Sequence, residues 1–404
     1  MSWHVRPCAS AEELRAAAAP LWHYFGRSVP SPEQLDALGR VLPPERMHAA
    51  WEDGRAVGGA GAHPFALTVP GARVPAAGVA AVGVLPTHRR RGILTAMMRA
   101  QLDACRARGE PIACLWATED VIYGRFGYGL ASFAAEIDLP RERSAYVAPD
   151  EPFGATRLVA LTEAEPLVTP VYERVAARTP GMLARSSAWW QARILTDPEW
   201  RRRGGGDLQC VVLEAATGPA AYALYRLNTA WDRGVQTGAA AVVEAMGDSP
   251  RATAAIWRYL LDIDWMAHVR AILLPLDHPL LLLVAEPRRL RLSYRDGLWI
   301  RLVDVGAALA ARSYATPGSV VIEVVDRFCP WNAGRWRVGE AVGRAASEAE
   351  LRCDVTALGS AYLGGFTWAQ LARALRVEEL RPGAIARADA LFRTDCAPWC
   401  PEIF

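Results

Sequence analysis

Val82-Gly83-Val84-Leu85-Pro86-Thr87-His88-Arg89-Arg90-Arg91-Gly92-Ile93-Leu94 decides the fold of this chain. The apolar run from Val79 to Leu85 has the character of a buried strand, and Pro86 ends it because proline has no amide to give a ladder. A helix is predicted next. Leu94, Met97, Met98 and Cys105 fall on one helical face, broken only by Gln101, and Arg106, Arg108 and Gly109 close the element. The first amides of such a helix lack internal partners and its macrodipole is positive there, so backbone groups alone can bind a diphosphate. Arg89 and Arg90 add fixed charge, and Gly92 lets an anion approach the main chain closely. On its own the motif also fits a basic helix start on a solvated face.

A second motif weighs against that alternative. About thirty residues on, the apolar run Ile112-Ala113-Cys114-Leu115-Trp116 leads into Ala117-Thr118-Glu119-Asp120-Val121-Ile122-Tyr123-Gly124-Arg125-Phe126-Gly127-Tyr128-Gly129. A strand, a short helix ending near a tyrosine, then Gly-aromatic and a further strand resembles the closing half of the GNAT acetyltransferase fold. The first motif is then a candidate cradle for the coenzyme A pyrophosphate. That resemblance implies that Tyr123 lies near the coenzyme sulfur and returns a proton to the thiolate as general acid. The competing reading is a core aromatic with a satisfied hydroxyl. Tyr128 is assigned to packing.

The two motifs together are similar to those of the Eis (enhanced intracellular survival) family of acetyltransferases. The general GNAT signature has Gly or Ala where this chain has Leu94, and Eis-like proteins share that departure. The resemblance spans the whole chain in layout, though its specific motifs lie in the first third and at the last residues. It implies an α/β (α+β) architecture: tandem GNAT domains, each a mixed central sheet flanked by helices, and a sterol-carrier-protein-like α/β domain. The expected limits are 1–139 for the catalytic GNAT domain, 140–287 for a degenerate second one, and 288–404 for the last domain with its tail.

In the first domain, helices are expected over Ala11 to Ala18 and Pro32 to Leu42, with hairpin-like strands between Met47 and Val74. By resemblance those helices wall the acceptor side of the cleft, making Trp22, His23, Tyr24, Phe25, Glu33 and Asp36 candidates for substrate contact. Core aromatics and solvated carboxylates explain the same residues. Pro140 through Pro152 is charged and proline-bearing, as a linker would be. Beyond it, helices are expected over Pro166 to Ala177 and at Trp189-Trp190, and strands at Leu208 to Leu213, Ala221 to Leu227 and Ala239 to Glu244. Asp248-Ser249-Pro250 offers a helix start before Ala254 to Ile263, but with no Arg-x-x-Gly at the turn, so this repeat is expected to lack a coenzyme site. Arg201-Arg202-Arg203-Gly204-Gly205-Gly206 follows Trp200 rather than a strand, which favours a mobile turn over a phosphate loop. The last domain is expected to open with a strand at Leu298 to Val303. A helix over Val305 to Arg312 and strands at Gly318 to Val325, Arg335 to Val338 and Leu351 to Val355 come next. Helices at Trp368 to Leu375 and Gly383 to Phe392 complete it.

Composition narrows the function. At 404 residues the chain can bury several cores, and a net charge of +2 argues against a general nucleic-acid binder. All 45 basic residues are arginine. Codon bias of a GC-rich genome explains this, and an amine acetylator that benefits from lacking lysine amines is the speculative alternative. The N-terminal segment carries Arg6, Glu12, Glu13 and Arg15 without a signal-like apolar core. Ala271 to Ala285 is interrupted by Pro275, Asp277, His278 and Pro279, short of the ~20 residues a span needs. A soluble, cytoplasmic protein is expected. The cysteines, Cys8, Cys105, Cys114, Cys210, Cys329, Cys353, Cys396 and Cys400, are scattered; Cys396-x-x-x-Cys400 lacks a matching pair, so no metal site is expected. Most should be small buried hydrophobes. His88, beside three arginines, is assigned as a phosphate neighbour or surface group.

The chain ends Trp399-Cys400-Pro401-Glu402-Ile403-Phe404. In Eis-like enzymes the terminal carboxylate acts as general base, which by resemblance gives Phe404 that role. A free α-carboxylate titrates at about 3.3–3.7, so the role requires desolvation to raise it. An apolar Ile-Phe end looks docked, whereas most chain ends fray. The implied activity is acetyl-CoA-dependent N-acetylation of amines on aminoglycoside-like polycationic small molecules, at more than one position. Backbone near Val82 and Val84 would hold the acyl arm. Arg89, Arg90, Gly92, Ile93 and Leu94 would bind the coenzyme, with Thr118 near its sulfur. Glu402 and Asp36 would attract the cationic substrate. A homo-hexamer is implied by the family. A protein or peptide lysine acetyltransferase, and a lipid-binding carrier with a vestigial GNAT half, remain as alternatives.

Overall fold

The structure is a computed structural model that describes residues 3–26, 30–148, 151–202 and 204–404. Two compact units are present: one from residues 1–132, 298–398 and 403–404, the other from residues 133–297 and 399–402.

The first unit carries a seven-stranded sheet. Its elements in chain order are β1 (His4–Pro7), α1 (Ala11–Tyr24), α2 (Pro32–Gly39), β2 (Met47–Glu52), β3 (Arg55–Val69), β4 (Ala72–Val84), α3 (Ile93–Ala107), β5 (Ile112–Trp116), α4 (Asp120–Tyr123) and β6 (Gly129–Leu130). The strands run β1-β2-β3-β4-β5, then Leu298–Leu302, then β6. Two features of this sheet position the site. First, β4 and β5 are parallel but pair only from Ala76↔Ile112 to Gly78↔Cys114, after which the strands separate. Second, the β3–β4 register shifts between Gly59 and Gly61, and Ala81 sits at φ 52°. A bulge of this kind bends the strand and re-aims its backbone.

Gln101, the polar break in the apolar face of α3, is explained by that bulge. It is fully buried and donates to the carbonyls of Ala60 (3.1 Å) and Gly61 (3.0 Å), where the ladder slips. α1 starts on the Ser10 cap and lies on the sheet backbone to backbone. A Cβ on Gly59 would come 2.1 Å from the Ala17 carbonyl oxygen, and one on Gly83 would come 2.8 Å from Leu21 Cα. Glycine at these two positions fixes how closely α1 approaches β3 and β4.

Also within the first unit, a five-stranded sheet runs Gly343–Arg344, Gly334–Gly339, Ser319–Val325, Leu351–Asp354, Val377–Glu379. Its helices are Val305–Ala311, Val355–Tyr362, Trp368–Arg373 and Ala384–Phe392. The second unit has its own seven-stranded sheet: Ser293–Asp296, Phe133–Pro140, His268–Leu274, Ala239–Gly247, Gly218–Asn228, Leu208–Ala215, Ala155–Val159. There too a single parallel pair, Ala239–Gly247 with His268–Leu274, brackets a helix, Pro250–Leu261. The two sheets are the tandem GNAT architecture expected from the sequence, and the five-stranded α/β layer is the sterol-carrier-like part.

Sheet membership departs from the limits 1–139, 140–287 and 288–404 at two strands. Phe133–Pro140 pairs with His268–Leu274 in the second sheet, and Leu298–Leu302 inserts between β5 and β6 of the first, with Ile300 opposite Cys114. Apolar alternation identifies such strands but carries no information about which sheet receives them. Pro140 to Pro152 contains a short 3₁₀ turn at Arg141–Arg143 and an isolated bridge from Tyr146 to Val284, with residues 149–150 outside the described residues. None of the eight cysteines forms a disulfide, and seven are buried. No helix among the described residues is long and apolar enough to cross a membrane.

Candidate active site

Where β4 and β5 separate, a cleft of about 450 Å³ opens in the first unit. Val82, Gly83 and Val84 supply its strand side, His88, Arg89, Arg90, Gly92, Ile93, Leu94 and Thr95 its turn and helix start, and Thr118, Glu119, Ile122, Tyr123 and Arg125 the opposite wall. Tyr24 and Phe25, at the end of α1, close it.

The start of α3 is built to be occupied. Gly92 is its N-cap at φ 82°, and no side chain caps the helix. By contrast α1 and α2 are capped by Ser10 and Ser31. The first amides of α3 therefore face the cleft without a side-chain acceptor, next to the arginines Arg89 and Arg90. A Cβ on Gly92 would meet only a Trp3 ring carbon at 4.0 Å, so the space beside the main chain is open to a ligand. This cradle fits the diphosphate of coenzyme A.

The three consecutive arginines divide by role. Arg91 turns away and donates to Glu52 Oε1 at 2.6 Å, while Glu52 Oε2 contacts His88 Nε2 at 2.7 Å. These two partners hold the Glu52 carboxyl below its ordinary pKa. Arg89 stacks on the Tyr24 ring at 4.9 Å and makes no ion pair among the described residues; Arg90 is also unpaired, at φ 61°. Glu52 was invisible to motif reading because it lies 36 residues before His88, on another strand.

Tyr123 ends α4 and packs edge-on against Tyr128, with ring centroids 5.9 Å apart. Burial, with Glu119 adding, pushes its hydroxyl up to about 12, so it is a proton carrier at neutral pH. Tyr128 is fully buried within the core cluster containing Phe126 and Leu115, consistent with packing. Thr118 is exposed and lines the cleft.

The remaining candidates are less convergent. Phe25 lines the cleft at 40% exposure, but Trp22 does not, and its buried indole N–H has no hydrogen-bond partner among the described residues. Glu33 is exposed on α2, and Asp36 pairs with Arg15 at 2.5 Å; neither lines the cleft. The Phe404 ring packs on Phe65 of β3 at 5.0 Å and is edge-on to His63 at 6.5 Å. A Cβ on Gly78, the last β4 residue paired with β5, would lie 3.3 Å from the Phe404 ring. The terminal aromatic thus docks where the two strands begin to part.

Glu402 belongs to a different environment. In the second unit its carboxylate accepts from Arg185 at 2.9 Å and from the Trp189 indole N–H, and it is 6% exposed. Arg185 also forks onto Glu244 (2.9 and 2.6 Å) and lies over the Tyr172 ring at 3.9 Å. The expected substrate-attracting acid is therefore a buried partner of an arginine.

The equivalent turn of the second unit is closed. Ser249 caps its helix by accepting from Ala252, Pro250 supplies no amide, and a Cβ on Gly247 would lie 2.3 Å from the Thr253 nitrogen. No anion can approach these backbone groups as it can at Gly92. The glycine-rich turn also binds itself: Arg201 donates to the Arg193 carbonyl at 2.6 Å, and Arg202 pairs with Asp197 at 3.1 Å. Arg203 lies outside the described residues.

Residues 4–131 and 181–302 each match a family model described as an acetyltransferase (GNAT) domain, and residues 305–401 match a sterol carrier protein domain. An uncharacterised N-acetyltransferase of Streptomyces coelicolor is 44% identical, covering 97% of this chain and 98% of its own. N-acetyltransferase Eis of Mycobacterium tuberculosis is 37% identical, covering 81% of each chain. Among solved structures, Eis1 from Mycobacterium abscessus matches with a TM-score of 0.87 at 36% identity, over 99% of this chain and 100% of that one.

Proposed function

Because the chain belongs to the Eis family of GNAT N-acetyltransferases, we propose that it transfers acetyl groups from acetyl-coenzyme A to amines of aminoglycoside-like polycationic small molecules, at more than one position. The observation that carries this reading is the uncapped, arginine-flanked start of α3 facing the same cleft as Tyr123.

In this reading Arg89, Arg90, Gly92, Ile93 and Leu94 hold the coenzyme diphosphate through charge and backbone amides. Val82 and Val84 hold the acyl arm along the bulged edge of β4, and Thr118 lies near the sulfur. When bound, acetyl-coenzyme A supplies an activated acetyl thioester. The Phe404 α-carboxylate accepts the proton that the attacking amine must lose, and the docked ring supports a tail that excludes water there. Tyr123 donates its hydroxyl proton to the departing sulfur. A tyrosine pushed to about 12 is a weak acid against a thiolate near 8.5, so its main contribution is a hydrogen bond that strengthens as charge develops on sulfur. Phe25 and Tyr24 form the near wall for the acceptor. Glu402 is assigned to holding the tail rather than to substrate. By resemblance the enzyme works in the cytoplasm as a homo-hexamer, which light scattering on the purified chain would check.

The test is thiol release from acetyl-coenzyme A by protein with its native C-terminus, against aminoglycosides, polyamines and lysine peptides. Turnover of aminoglycosides at several amines per molecule is expected. Release with peptides alone would replace the acceptor assignment with protein acetylation, and release with none would remove the enzymatic reading. Residues appended beyond Phe404 should cut turnover while leaving coenzyme affinity unchanged; full activity would remove the carboxylate from the mechanism.

A further inference from the structure

A second cavity in the first unit, of about 590 Å³, has no role in the reading above. Its walls are the turn after Tyr123, the segment after Ser319–Val325, the start of helix Val355–Tyr362, and Leu375 to Glu378. Four arginines line it: Arg125, Arg327, Arg352 and Arg376. Its three acids, Asp326, Asp354 and Glu378, are all engaged. Asp326 accepts from the buried Arg301 at 2.6 Å and from the Cys329 amide at 2.9 Å. Asp354 caps its helix through the Thr356 amide at 2.8 Å. Glu378 shares Arg352 with Glu323, each at 3.1 Å.

Arg125, Arg327 and Arg376 are left. All three are exposed, and none forms an ion pair among the described residues; Arg376 donates only to the Thr356 hydroxyl, at 2.6 Å. Four arginines against three acids leave the concavity net positive, the three guanidiniums outside ion pairs are free to turn towards an anion, and the planar fork of arginine suits phosphoryl oxygens. Arg125 also lines the cleft of the candidate active site, so the two spaces share a wall.

We propose that this cavity is a phosphoryl-binding site adjoining the coenzyme cleft through Arg125. Two sources fit that chemistry: the 3′-phosphate of the coenzyme held in the cleft, or the phosphoryl group of a separate small molecule. Only the first rests on the coenzyme reading.

The experiment is calorimetric titration of the full chain and its Arg327→Gln/Arg376→Gln variant with coenzyme A, 3′-dephospho-coenzyme A and inorganic pyrophosphate. Both side chains are exposed, so thermal melting of the variant should match the wild type. Two charge-assisted contacts predict roughly tenfold or more in affinity. If the wild type prefers coenzyme A by that factor and the variant loses the preference without weakening for the dephospho form, the site takes the coenzyme's own phosphate. If there is no preference, but pyrophosphate binds the dephospho-coenzyme-saturated wild type and weakens by that factor in the variant, the site takes a separate phosphorylated molecule. If neither difference is seen, the proposal is overturned. Should neither coenzyme form bind, the coenzyme reading fails, and pyrophosphate titrated into the bare protein decides the proposal by the same criterion.

Discussion

Replacing Gly92 with alanine separates the backbone role of the cradle from its role in binding. Gly92 sits at φ 82°, ψ −2°, where a residue with a Cβ is disfavoured by about 1–2 kcal/mol. The added methyl meets no protein atom closer than 4.0 Å, so the folding cost is conformational, not steric. Binding should suffer separately, because that methyl stands in the open space through which a diphosphate reaches the α3 amides. Loss of one such charge-assisted bond costs about 1.5–3 kcal/mol, or roughly ten- to a hundredfold in Kd for coenzyme A. Gly109 provides the control. It lies just beyond the other end of α3 at φ 72°, with nothing within 4 Å of its would-be Cβ. Gly109→Ala should lose the same folding stability, about 2–4 °C of Tm per kcal/mol, and keep wild-type coenzyme affinity. Thermal melts and calorimetric titration of both variants read the two effects. Coenzyme binding at wild-type strength by Gly92→Ala would refute the cradle.

Three further outcomes are expected. Tyr123→Phe should lower kcat by about 10²–10⁴-fold with little change in coenzyme affinity, and in the wild type the alkaline limb of kcat should lie well above pH 10 because the hydroxyl is raised to about 12; steady-state kinetics across pH would test both. Arg185→Met should destabilise the second unit by about 3–5 kcal/mol in denaturant unfolding, since it leaves Glu244 and Glu402 buried without their cation, and a stability within 1 kcal/mol of wild type would contradict the network. His48 and His278 are held neutral by burial, pushed down to about 4 and about 3, whereas unfolded histidine titrates near 6.5. Only the unfolded chain therefore gains these protons as pH falls from 6.5, so stability should drop by about 2 kcal/mol per histidine between pH 7 and pH 5; a flat urea midpoint over that range would count against both assignments.

Much of the architecture was legible because it is local. Pro86, the arginine turn and the stripe through Met97 and Met98 gave β4, the turn and α3 in order, and Ser249 before Pro250 marked the start of a helix in the second unit. Long-range partnership was not legible. Glu52 is chemically necessary to divide Arg91 from Arg89 and Arg90, yet nothing on β2 distinguishes it from a solvated acid. Glu402 looked like a free carboxylate near the chain end because Arg185 is 217 residues away in sequence. The exchange of Phe133–Pro140 and Leu298–Leu302 between sheets follows from the same limit: strand character is written in period-two alternation, but the choice of neighbour is made by packing.

The sterol-carrier-like part is better explained as a buttress of the first sheet than as a lipid holder. Its interior contains Arg312, 4% exposed, which donates to the carbonyls of Tyr362 (2.9 Å) and Phe392 (3.2 Å) and lies 4.2 Å over the Phe392 ring. Burial lowers its pKa to about 10, so it stays charged at neutral pH, and an alkyl chain displacing those partners would leave a guanidinium facing hydrocarbon. The same part closes on the strands behind Tyr123. A Cβ on Gly129 would lie 1.9 Å from the Thr356 carbonyl oxygen, and one on Gly359 would lie 2.6 Å from that of Ile300, so helix Val355–Tyr362 meets β6 and Leu298–Leu302 backbone to backbone. Arg301 passes beneath Gly127, where a Cβ would come 2.2 Å from its Nη1, and is held by Asp326. Gly129 therefore owes its identity to the last domain, and Gly127 to its φ of 87° and to Arg301 of the inserted strand. That domain covers the short edge strand β6, which would otherwise present unpaired backbone groups, and thereby fixes the turn that carries Tyr123.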